Sequence, residues 1–148
     1  MTCTSLKFLT AAAVTALAAA PSASASEPQQ TSFAVVEQFA ATSGAFTSDG
    51  SVVCASGTTS NDTRFSAAHS PQALGIHVRK TITCDDGSGT FVLQLQVRAS
   101  YPAGETSGRW VVLSGSGDYA DLHGAGKVVG TPVAGGISDV YSGRLSNG

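Results

Sequence analysis

The sequence predicts an all-β protein: a single domain in which eight antiparallel strands close into a barrel. Residues 26–148 contain 13 Val and 3 Ile but only 6 Leu, a bias that favours strands over helices. All 17 glycines lie in the same part of the chain, and glycine is a strong turn former. Apolar segments alternate with short turn signals, and short connections require antiparallel neighbours.

Closure into a barrel is predicted from the edges of the sheet. Eight antiparallel strands in a row leave two strands with unpaired backbone groups, and closure pairs them with each other. A β-sandwich is the alternative architecture. The length of 148 residues is that of one domain.

The strands are predicted between turn signals such as Asp49-Gly50, Asn61-Asp62, Ser70-Pro71 and Gly135-Gly136. The clearest strand is 90–100, because its apolar and polar side chains alternate with a period of two. The predicted extended segments are 33–47, 51–57, 63–69, 74–84, 90–100, 108–114, 126–133 and 137–145.

The first 25 residues have the pattern of a secretory signal peptide. Lys7 is the only positive charge before the apolar run 8–20, and the small residues Ala23-Ser24-Ala25 match a signal-peptidase site. We therefore expect cleavage after Ala25, a short linker at 26–32, a barrel domain at 33–148 and a secreted product. The apolar run is too short to cross a bilayer, so no membrane span is predicted.

Two cysteines would remain after cleavage, because Cys3 lies in the leader. Cys54 and Cys84 are then expected to form one disulfide, as paired cysteines of exported domains commonly do. The alternative roles, metal binding or nucleophilic catalysis, lack support. There is no Cys-x-x-Cys motif, and no His lies at ligand spacing from either cysteine.

Charge and motifs exclude several functional classes. Residues 26–148 carry seven Lys and Arg against ten Asp and Glu, so no basic stripe indicates a nucleic-acid partner. The three His are scattered, and no metal site is predicted. Segment 115–120 superficially matches a dinucleotide motif. Further glycines follow it at once and leave no room for the helix that would hold a pyrophosphate, so no cofactor is predicted.

Three predicted strands carry a charge on an otherwise apolar face. Glu37 alternates with Phe33 and Val35, and the same spacing places Lys80 and Asp139 on the apolar faces of their strands. A charge on such a face is costly unless it is paired or hydrated. The candidates for a polar cluster inside a ligand cavity are Glu37, Lys80, Asp139 and Tyr141. The alternative is that these faces point outward, or that the charges lie at hydrated strand ends.

The segment 110–126 resembles the strand and glycine loop of the allene oxide cyclase and dirigent barrel-like superfamily. It contains the triplet Gly115-Ser116-Gly117, the aromatic Tyr119 and the closing pair Gly124 and Gly126. These residues are expected to shape a tight loop between strands and to bind no ligand. The segments 49–54 and 84–91 also resemble a group of small secreted bacterial proteins of unassigned function.

The resemblance implies an eight-stranded barrel with an apolar cavity, often assembled as a trimer. Three functions follow as hypotheses. The first is a secreted barrel that binds a small apolar or aromatic molecule. The second is a cofactor-free cyclase or isomerase of the superfamily type, for which no catalytic residue can be assigned. The third is an inhibitor or another interaction protein that uses its loops. An internal polar cluster with perturbed pKa values would favour the enzyme, and a cavity without one would favour the binder.

Overall fold

Eight antiparallel strands pair in chain order, and the last pairs with the first to close a barrel. The computed structural model describes residues 26–41, 43–65, 70 and 72–148, with the side chains of 63–65 left out. Closure confirms the predicted barrel and excludes the β-sandwich. The strands are β1 Gln29–Gln38, β2 Gly44–Ser48, β3 Ser56–Phe65, β4 Ala73–Cys84, β5 Gly89–Ser100, β6 Thr106–Gly117, β7 Leu122–Val133 and β8 Gly136–Asn147.

Alternation along each strand sets the inner and outer faces. In β1, Phe33 and Val35 are buried, whereas Val36 between Val35 and Glu37 is 42% exposed on the outer wall. This period of two gives the barrel a single interior, filled by alternate residues of all the strands.

One end of the interior, which we call the closed end, is packed with aromatic rings. The Phe33 ring stacks on Tyr141 with centroids 4.7 Å apart and also contacts Phe46 and Trp110. Phe91 adds an edge contact to Phe46 at 5.8 Å. The bonded pair Cys54 and Cys84 lies in the same core and agrees with the predicted disulfide.

Glycines in β7 and β8 make room for the largest of these rings. A Cβ atom at Gly126 would lie 2.8 Å from Trp110 Cε2, and one at Gly143 would lie 2.8 Å from Trp110 Cζ2. Real Cβ atoms do not approach that closely, so the indole occupies space that only glycine leaves open. The indole nitrogen donates a hydrogen bond to the Lys127 carbonyl at 3.0 Å.

The predicted glycine loop is largely strand. Gly115 and Gly117 end β6, Gly124 and Gly126 lie in β7, and only 118–121 form the turn between them. The prediction of a loop was wrong because the glycines were taken as turn signals. In the structure they lie in strands, where Gly126 lets the chain pack closely against the Trp110 ring. Gly117 does have a positive φ of 63°, and Tyr119 is buried.

Four predicted boundaries also differ from the structure. The predicted segment 51–57 is not a strand of its own, because residues 51–55 lie outside the strands and β3 begins at Ser56. The extended segment 33–47 is divided between β1, which ends at Gln38, and β2, which begins at Gly44; after β1 the chain turns, and Ala41 N donates to Gln38 O at 3.0 Å. That turn contains no glycine or proline to signal it. Residues 29–32 of the predicted linker belong to β1 and pair with β8. Asn61-Asp62 is no turn, because both residues pair with β4 within the continuous strand β3.

The predicted signal peptide at 1–25 lies outside the described residues. Among the residues that are described, no helix has the length and hydrophobicity needed to cross a bilayer.

Candidate functional site

The end of the barrel opposite the aromatic core, which we call the open end, contains a cavity of about 750 Å³. It lies where β1 meets β2, β5 meets β6 and β7 meets β8. Its wall is mainly aliphatic, and the residues that form this part are Ile76, Val78, Leu95, Val97 and Ile137. Three charged side chains, Glu37, Lys80 and Asp139, complete the wall on the side of the core.

The three charged residues come from strands that meet only in the closed barrel. Glu37 lies near the end of β1, and Asp139 lies on the neighbouring strand β8. The register pairs Val35 with Asp139, so the two carboxylates are diagonal neighbours on the inner face. Lys80 projects from β4, three strands away, and crosses the interior to reach Glu37. The three charges therefore lie on inner faces, as the polar-cluster hypothesis requires and the outward-facing alternative does not.

Glu37 is the hub of the polar cluster. Its Oε1 atom forms an ion pair with Lys80 Nζ and accepts hydrogen bonds from Asn61 Nδ2 at 2.9 Å and Thr59 Oγ1 at 3.1 Å. Burial alone would raise the pKa of Glu37, but the charge of Lys80 and the three hydrogen bonds outweigh it and lower the pKa. Glu37 is therefore ionised at neutral pH and holds the buried lysine.

Asp139 has a different environment. It is 8% exposed, and no Lys, Arg or His among the described residues forms an ion pair with it. Burial raises its pKa, the charge of Lys80 opposes that rise, and the charge of Glu37 adds to it. The hydroxyl groups of Thr106 and Tyr141 lower the pKa by smaller amounts. Asp139 is thus a buried carboxyl group without a counter-charge in contact.

A glycine on β7 provides the space around Asp139. The register pairs Gly130 with Asp139, and a Cβ atom at Gly130 would overlap both Asp139 Oδ1 and Thr106 Oγ1. The absence of a side chain at 130 therefore leaves the carboxyl group open toward β6. The sequence prediction did not include either Gly130 or Thr106.

Tyr141 belongs to the core rather than to the cavity wall. Its ring is fully buried against Phe33, and it is absent from the residues that line the cavity. Its hydroxyl group has no partner in hydrogen-bonding geometry, although the Asp139 carboxylate is near enough to act on its pKa. Burial and the two carboxylates raise its pKa well above 10.0, so the hydroxyl group is protonated. The candidate Tyr141 thus lies beneath the polar cluster.

Sequence reasoning missed several residues of the site. Asn61 was assigned to a turn, although it lies in β3 opposite Lys80 and binds Glu37. At the mouth of the cavity, Phe39 is 77% exposed and Tyr101 is 52% exposed. Phe39 lies in the turn directly after β1; the alternation of Phe33, Val35 and Glu37 extends to it, but the sequence reading did not make it a site candidate. No pattern in the sequence could have indicated Tyr101, because its position depends on the β5–β6 connection.

The arrangement can perform two kinds of chemistry. An aliphatic cavity with a few polar groups at one side suits a small molecule that is mostly apolar. A buried carboxyl group with a raised pKa can also act as a general acid or base. No group of three or more His, Cys, Asp and Glu in the described part of the chain could hold a metal ion. No protein-family model matches the sequence, and no curated protein matches it with significant similarity.

Proposed function

We propose that this protein is a secreted barrel that binds one small, mainly apolar molecule in the cavity at its open end. The observation that carries the proposal is the cavity itself, about 750 Å³ with an aliphatic wall. That volume lies within the roughly 300–1,000 Å³ of known small-molecule sites. Protein interiors are normally close-packed, and the closed end of this barrel is packed with side chains. An interior with no role beyond stability would be expected to be packed in the same way.

Export is supported by the disulfide and by the leader. A bond between Cys54 and Cys84 is compatible with an oxidising compartment, where such bonds persist. The signal-peptide pattern of 1–25 points to the same destination. The relationship to the allene oxide cyclase and dirigent superfamily belongs to the same proposal, because the closed eight-stranded barrel and its cavity are what that resemblance implies.

The binding proposal is tested with a neutral fluorescent probe, N-phenyl-1-naphthylamine, and residues 26–148. We expect saturable binding with enhanced emission. Val97→Trp places a large ring in the cavity and should weaken binding at least tenfold. Gln96→Trp is the matched control, because the adjacent side chain is exposed and absent from the cavity wall. Equal affinity of the two variants, or no saturable binding by the parent protein, would contradict the proposal.

An acid–base isomerase is the second candidate function, because the cavity wall contains a polar cluster with shifted pKa values. We rank it second because Glu37 and Lys80 are paired with each other, and their ion pair accounts for most of the cluster. Asp139 is the residue that still favours the enzyme. A carboxyl group with a raised pKa in an apolar cavity can remove a proton from a carbon next to a carbonyl group and return it elsewhere on the substrate. A direct assay is the conversion of 3-cyclohexenone to 2-cyclohexenone, followed by ultraviolet absorbance. Turnover that is lost in Asp139→Asn would support the enzyme. Conversion at the rate of buffer alone would leave the binding function as the better account.

A further inference from the structure

We propose that the cavity selects apolar molecules that carry one positively charged amine, and that the Asp139 carboxylate receives this amine. The inference rests on the proposed function, because it specifies the chemical class of the ligand that the same cavity takes. The inference follows from the three charges that face the cavity: two of them are paired with each other, and the third has no counter-charge in contact.

Lys80 is not available to a ligand. Its side chain is 2% exposed, and its ammonium group is bound to Glu37. No other Lys or Arg is among the residues that line the cavity. A ligand carboxylate would therefore find no free cation in the described part of the wall, and it would approach two carboxylates instead.

The carboxylates are the accessible charges. The Glu37 side chain is 17% exposed, and Asp139 is 8% exposed on the cavity wall. With Asp139 ionised, Glu37, Lys80 and Asp139 together carry one net negative charge. Since Lys80 and two further donors already bind Glu37, Asp139 is the carboxylate of the cluster that lacks a counter-charge in contact. A ligand ammonium group would supply the missing counter-charge and offset the cost of burying the carboxylate.

The same geometry sets the dependence on pH. The polar groups that act on Asp139 are Glu37 on β1, Lys80 on β4, Thr106 on β6 and Tyr141 on β8, and the neighbouring residue on β7 is Gly130. Burial keeps the pKa of Asp139 above its usual value in the empty barrel. Affinity for an amine should therefore fall as pH decreases through that raised pKa, because the protonated acid offers no charge.

The experiment compares three molecules that share one ring system: 2-naphthylmethylamine, 2-naphthalenemethanol and 2-naphthoic acid. Affinities for residues 26–148 are measured by calorimetry at pH 7.5 and at pH 4. We expect the amine to bind at least tenfold more tightly than the alcohol at pH 7.5, and the acid to bind more weakly than the alcohol. At pH 4 the preference for the amine should shrink.

Asp139→Asn should remove the preference for the amine at pH 7.5 and retain the binding of the alcohol. Asp121→Asn, which makes the same change in net charge at an exposed turn of the closed end, should keep the preference. Equal affinity for amine and alcohol, tightest binding of the acid, or a preference that survives Asp139→Asn would overturn the inference while leaving the binding function standing. Failure of all three molecules to bind would overturn both. The pH comparison on the parent protein does not depend on how the variant folds.

Discussion

The two ends of the barrel interior differ in what fills them. At the closed end, six aromatic residues and a disulfide pack into one core, and glycines bring the strands close to the Trp110 indole. At the open end, shorter aliphatic side chains leave about 750 Å³ free, and three charged residues separate this space from the core. The same eight strands thus provide a stability core and a cavity, separated by one layer of polar side chains.

The difference indicates how the barrel retains a cavity and still folds. Apolar burial and aromatic contacts at the closed end supply stability that the unfilled open end cannot supply. The polar layer joins strands from different parts of the barrel through Glu37, and it positions Asp139 toward the cavity. Changes at the closed end should therefore alter mainly stability, and changes at the open end mainly binding.

The largest expected effect is truncation of a ring at the closed end. Phe91→Ala should lower the free energy of unfolding by about 3–5 kcal/mol, because it removes a fully buried ring and leaves a void. Ile137→Ala at the half-buried cavity wall should cost only about 1 kcal/mol, since its side chain already faces open space. Urea denaturation measures both. Equal losses would remove the distinction between the two ends.

The disulfide should have the next largest effect. Thiol titration of unreduced residues 26–148 should detect no free thiol. The double variant Cys54→Ala with Cys84→Ala should lose about 3–4 kcal/mol of stability, because the bond closes a loop with a sequence separation of 30. Its affinity for N-phenyl-1-naphthylamine should remain that of the parent, since the bond lies at the closed end. A large loss of affinity in a folded variant would show that the two ends are coupled.

Replacing Glu37, which binds Lys80, Asn61 and Thr59, should have an intermediate effect on the free energy of unfolding. Glu37→Gln leaves Lys80 buried without its partner and should cost about 2 kcal/mol, less than the roughly 3–5 kcal/mol of an isolated buried charge, because Asp139 remains nearby. The pKa of Glu37 is lowered in the folded state, so its contribution is present above about pH 4.3 and is lost as pH falls through the folded pKa. Denaturation at pH 7 and pH 3 measures the change. If the variant and the parent differ in stability as much at pH 3 as at pH 7, the ionised form of Glu37 is not what stabilises the polar layer.

The smallest expected effect has the opposite sign. Asp139→Asn should stabilise the protein by about 1 kcal/mol at pH 7.5, because it removes a carboxylate buried without a counter-charge in contact. The pKa of Asp139 is raised in the folded state. The parent therefore loses stability as pH rises from about 3.9 to the folded pKa, and the advantage of the variant should disappear below about pH 3.9. Melting curves across this pH range measure the stability difference between variant and parent. A variant that is less stable than the parent at pH 7.5 would show that the Asp139 carboxylate stabilises the fold.

Much of the candidate site could be predicted from spacing alone. Glu37, Lys80 and Asp139 each alternate with large apolar residues, and that alternation is visible without a structure. The spacing alone left open whether these faces point inward or outward, and the structure places them inward on β1, β4 and β8. Tyr141 has the same spacing as Asp139 but lies one layer deeper, beside Phe33. Depth along the barrel axis depends on the stagger of neighbouring strands, which the period of two does not record.

By itself, the sequence indicated an all-β chain of eight strands with a barrel as the favoured architecture, most of the strand segments, the pairing of Cys54 with Cys84 and three charged residues on apolar strand faces. These features follow from local alternation, composition and a cysteine count. Only the tertiary structure decided that Asn61 lies in a strand, that Gly124 and Gly126 line the interior, and that Lys80 pairs with Glu37 and leaves Asp139 alone. The physical reason is that pairing between distant strands overrides local turn preference and brings together side chains whose separation along the chain carries no information about their distance.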